Sequence, residues 1–159
     1  MDGVEVALAE LVGCPVTGIG RAAAMGVFTF GPVRDAMQDP DAGRTPTIRL
    51  HIQCSFRLVR AGKILLGSDD MNWPEDRAID PAGAMESFRT MYDRGAKRLE
   101  SALESTMFMV NDCTVGEAGM VTVQMSHGIS LELFPAVSGR VESWRLVVEG
   151  GDHYVYCGG

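Results

Sequence analysis

Residues 48–58 alternate without a break. Ile48, Leu50, Ile52, Cys54, Phe56 and Leu58 are apolar, and Arg49, His51, Gln53, Ser55 and Arg57 lie between them. A period of two fits an extended chain with one greasy face and one polar face. The pattern predicts one long strand over 48–58, and a sheet whose apolar side must be covered.

What covers it is written further along. From Pro81 the period changes to 3.6, and Met85, Phe88, Tyr92, Leu99 and Leu103 fall on one side. Asp80 is placed to cap that helix and Pro81 to begin it. Gly95 costs about 1 kcal/mol relative to Ala and is a place to split the helix. A short helix is expected over 4–12, ended by Gly13 and Pro15.

Around these, strand patterns dominate. Val16 to Ile19 and Val27 to Phe30 flank a Gly- and Ala-rich turn, and the continuation from Arg57 (RLVRAGKILLGSDD) reads as a hairpin, with Ala61 and Gly62 at the turn and Ile64 to Leu66 returning. Five more strands are expected: Phe108–Thr114, Met120–Met125, Ile129–Phe134, Ser143–Val148 and His153–Tyr156. Glycine-containing separators divide them. Residues 31–46, with three prolines and three aspartates, read as a loop. No crossover helices separate the late strands, so they form an antiparallel meander. The predicted class is α+β: a curved antiparallel sheet with one main helix packed on one face. At 159 residues and 46% hydrophobic, residues 1–159 read as a single globular domain.

A net charge of −7 disfavours nucleic acid and anionic membranes as partners and suits a basic protein partner. No apolar run of about 18 residues is present to cross a bilayer, and the acidic start lacks a basic leader, so a cytoplasmic location is expected. Cys14, Cys54, Cys113 and Cys157 are widely scattered and read as small core hydrophobes.

Most tempting motifs fail on geometry. Gly18-Ile19-Gly20-Arg21-Ala22-Ala23 fits a dinucleotide fingerprint, but Val-Phe-Thr-Phe follows where its long helix should be. His51 and Cys54, three apart on a strand, face opposite ways and cannot share a metal ion. The acidic run Asp69–Asp80 lacks the order of a calcium loop. Ser126-His127 has no nucleophile elbow around it. No catalytic residue, cofactor or metal is therefore assigned.

What remains is the polar face of the 48–58 strand. Residues 44–63 hold Arg44, Arg49, Arg57, Arg60 and Lys63 and no acidic residue. Arg49, His51, Gln53 and Arg57, with Arg145 if its strand lies nearby, are the candidate binding residues, because guanidinium groups bind carboxylate or phosphate in two-pronged fashion. A solvated face with arginine–carboxylate pairs, or a homodimer contact, uses the same groups.

Four segments carry a resemblance: Gly20–Gly31 (GRAAAMGVFTFG), Leu50–Val59 (LHIQCSFRLV) with Gly67–Asp70, Leu131–Pro135 (LELFP), and Glu142–Leu146 (ESWRL) with the closing HYVYCGG. In these the chain resembles a family of small uncharacterised proteins of high-GC actinobacteria. Residues Trp73–Ser105 depart most from it. Some sequences of similar style look like immunity proteins of bacterial toxin systems. The resemblance implies a single α+β domain rather than any activity, and it brings no catalytic residues; the expected function is a non-enzymatic, immunity-like protein-binding module. An anionic-ligand binder or enzyme on the polar face, and a structural homodimer, are the alternative expectations.

Overall fold

The computed structural model describes residues 2–31 and 46–158. Ten strands form two five-stranded antiparallel sheets. The first sheet runs in the order β1 (Val16–Ala22), β2 (Met25–Phe30), β3 (Ile48–Ile52), β9 (Glu142–Val148), β10 (His153–Cys157). The second runs β5 (Lys63–Gly67), β4 (Ser55–Arg60), β8 (Ile129–Phe134), β7 (Val121–Met125), β6 (Val110–Val115). The α+β class with antiparallel strands and one main helix stands, and the strands are shared between two sheets. The loop expected over 31–46 falls almost wholly outside the described residues.

The 48–58 pattern keeps its sidedness and changes its partners. Ile48, Leu50, Ile52, Phe56 and Leu58 are all buried. The ladder nevertheless breaks at Gln53–Cys54, where the chain leaves the first sheet and enters the second. Two sheets that share one core have the same inner side, so a chain can cross between them without losing phase. The amides of Gln53 and Cys54 both donate to the Ser143 carbonyl, at 2.9 and 3.0 Å. That carbonyl is available because β9 carries a bulge, with Ser143 and Trp144 both buried and the β10 register shifting there.

Inner faces of both sheets form one hydrophobic cluster with Leu8, Leu11, Tyr92 and Trp144. Helix α1 (Asp2–Ala9) packs on β6 and β10, one edge strand from each sheet. Helix α3 (Met91–Leu103) packs on β1 and β5, the opposite pair of edges. Glu100 of α3 accepts the edge amide of Ile19 at 3.0 Å, which blunts β1 against further pairing.

The helical stretch divides, but not at Gly95. Helix α2 (Pro81–Glu86) begins as expected, with Asp80 accepting from the Gly83 amide. It stops at Ser87, Phe88 takes a left-handed φ of 57°, and Thr90 caps α3 reciprocally with Asp93. Gly95 lies inside α3, where a Cβ would come within 3.0 Å of Leu66 Cδ1. Its lack of a side chain lets the helix approach the second sheet.

Candidate functional site

The outward face of the first sheet collects four of the five predicted residues. Strand pairing sets His51 of β3 opposite Arg145 of β9, and Arg145 opposite Val155 of β10. One row along, Arg49 faces Val147, which faces His153. Diagonal neighbours on adjacent strands lie about 7–8 Å apart, within reach of long side chains. Arg49, His51, Arg145 and His153 thus surround Val147.

Glu142 organises this face. Its Oε1 accepts from Arg145 Nε at 2.6 Å and its Oε2 accepts from Gln53 Nε2 at 2.5 Å. Residues three apart on a regular strand would face opposite ways, and the bulge at Ser143–Trp144 brings Glu142 round to Arg145's side. Gln53, just past the end of β3, is exposed and donates one amide hydrogen bond to this carboxylate. Arg49 is exposed and makes no ion pair among the described residues. Burial lowers the His51 pKa, and the charges of Arg145 and Arg49 lower it further, against a smaller opposing pull from Glu142.

Arg57 does not join them. It lies beyond the crossing, on β4 of the second sheet, where Nε donates to Glu132 at 3.1 Å and the guanidinium sits 5.3 Å from the Phe134 ring. An unbroken strand would have lined it up with Arg49 and His51; the change of sheet separates them. Sequence reasoning also missed His153 and Glu142. The ESWRL segment contains Glu142, but only the bulge reveals its direction.

A shallow, open concavity of about 200 Å3 lies at the crossing, lined by Gln53, Cys54, Ser55, Ser68, Asp69 and Asn72 among others. Its chemistry is quiet. Burial pushes the Cys54 thiol up to about 11, so it is protonated at neutral pH. Ser68 Oγ accepts the Phe56 amide at 3.1 Å. Elsewhere, Ser126 is a turn anchor, donating to the Met107 carbonyl and accepting from the Met109 amide. His127 beside it takes a φ of 63° and meets the Phe108 ring edge-on. Among the described residues no three His, Cys, Asp or Glu side chains converge to hold a metal ion. No described helix is long and apolar enough to cross a membrane.

A second surface stands out between β5 and α3. Trp73 is 61% exposed and Phe88 52%, large values for aromatic rings. The backbone beneath them is well held. Met91 N donates to the Trp73 carbonyl, Glu75 N to the Arg89 carbonyl, both at 2.8 Å, and Pro74 bridges to Thr90. The Arg89 and Glu75 side chains pair above this short ladder at 2.8 Å. Exposed Asp69, Asp76, Asp80 and Glu86 belong to the same excursion, against the exposed bases Arg77 and Arg89. It forms an acidic ledge carrying two exposed aromatic rings, Phe88 with one face on the Arg21 guanidinium.

Comparison with protein-family models, with curated proteins and with solved structures finds no match.

Proposed function

We propose that the protein is a non-enzymatic binding module that docks a basic protein partner on the acidic ledge, in the manner of an immunity protein. The exposure of Trp73 on a hydrogen-bonded ladder among Asp69, Glu75 and Asp76 carries this reading. Exposed aromatic anchors supply most of the energy in protein interfaces, and surrounding carboxylates steer a basic partner into place. A ledge already fixed by its own hydrogen bonds loses little entropy on binding.

The test is capture from the native cell extract on immobilised wild-type chain, and in parallel on Trp73→Ala and Asp69→Lys/Asp76→Lys chains. The expected result is a basic protein held by wild type, released by moderate salt, and lost from both variants. Identical retention on all three surfaces, or retention indifferent to salt, would overturn the proposal.

A further inference from the structure

The outward face of the first sheet supports a second binding site, independent of the ledge. The geometry points to a phosphoryl group as its ligand, seated over Val147 and held by Arg49, His51, Arg145 and His153.

Three observations combine. First, strand register puts these four side chains on three neighbouring strands around one valine. Strands are about 4.8 Å apart, so the donors span about 10 Å and approach from opposite sides. A carboxylate offers two oxygens in one plane, whereas a tetrahedral phosphoryl group offers oxygens to donors on every side. Second, Glu142 holds Arg145 by Nε, and among the described residues its terminal nitrogens make no hydrogen bond, so they can turn toward the ligand. A guanidinium held through one edge is pre-aimed, and its side-chain entropy is already partly lost. Third, Arg49 is exposed and makes no ion pair among the described residues, in a chain whose net charge is −7. The half-buried Val147 supplies an apolar floor, next to which charge-assisted bonds are screened less than in open water.

His51 makes the site readable. Burial and the cations around it disfavour its protonation, and an arriving anion offsets the cations. Phosphoryl binding therefore raises the His51 titration midpoint. The groups facing His51 are Arg49, Arg145, Glu142 and His153, so an anion among them acts on all four.

The experiment follows the imidazole proton resonances of the intact chain by NMR during addition of inorganic phosphate at constant ionic strength, with sodium chloride and sodium acetate as parallel titrants. His127, on a turn beside the second sheet, is the internal reference. Phosphate should shift His51 and His153 saturably, raise the His51 midpoint and leave His127 still. Arg49→Gln should weaken the binding by about tenfold, the loss of one hydrogen-bonded charge. The same spectra report whether that variant is folded. Shifts reproduced by chloride, or unaltered by Arg49→Gln, would refute the site. Equal saturation by acetate would refute the phosphoryl assignment.

Discussion

Arg21 and Asp93, 72 residues apart in sequence, meet in a two-pronged ion pair that is almost wholly buried. Arg21 Nε and Nη2 donate to the two carboxylate oxygens at 2.8 and 3.0 Å. Two more guanidinium N–H groups donate to the Ala23 and Met85 carbonyls, and the Phe88 ring lies 4.1 Å away. Asp93 also accepts from the backbone and hydroxyl of Thr90. The pair fastens β1, the end of α2 and the start of α3 at one point, and so supports the ledge that carries Phe88.

Removing one partner should cost far more than removing both. Arg21→Met leaves a buried carboxylate without its cation and should destabilise by about 3–5 kcal/mol. Arg21→Met/Asp93→Leu should recover part of that loss, because two apolar side chains need no partners. Urea unfolding of the three proteins checks this, and an equal loss in single and double variants would contradict it.

Acid stability should depend on the same carboxylate. Burial alone would raise the Asp93 pKa, but hydrogen bonds from Arg21 and Thr90 outweigh burial and hold it below the ordinary value. A carboxyl with a depressed folded pKa contributes fully above its unfolded pKa of about 3.9, and that contribution fades as pH falls through the folded value. Stability of the wild type should therefore drop more between about pH 5 and pH 2 than that of Asp93→Asn. Melting curves across that range give the comparison.

Gly26 of β2 is a packing requirement. A Cβ there would strike the edge of the Phe56 ring, which stands edge-on between Phe28 and Tyr92. Gly26→Ala should cost about 1–3 kcal/mol by overpacking. If denaturation shows no change, the edge-to-face trio of rings has more room than its geometry indicates.

The four thiols should react in a fixed order. Cys157 is exposed, whereas Cys54 and Cys113 are partly buried, with thiols pushed up to about 11 and about 12 by burial. Burial and the charge of Glu10 raise Cys14 as well. Iodoacetamide at neutral pH, read by mass spectrometry, should label Cys157 first and reach Cys54 and Cys113 only in denaturant.

Much of this architecture was legible in the chain, because apolar periodicity reports which side of an element is buried. The 48–58 alternation foretells every inward residue of β3 and β4. It is silent on partners, since a strand that crosses between two sheets keeps the same inner face. For that reason Arg57 is separated from Arg49 and His51. The helix break has a local signal in the Thr90–Asp93 capping box, whereas Gly95 is a packing glycine inside α3. The Arg21–Asp93 pair had none, because contacts between distant segments leave no periodic trace. Glu142 points the way it does only because of the bulge in β9.

That bulge has a mechanical consequence. One carbonyl, that of Ser143, receives both amides at the point where the chain passes between layers. Peeling β9 from β3 would release this shared anchor and unfasten the entry into β4 in the same event. The two layers should therefore come apart together in a single cooperative melt, with no half-folded form in which one outlives the other.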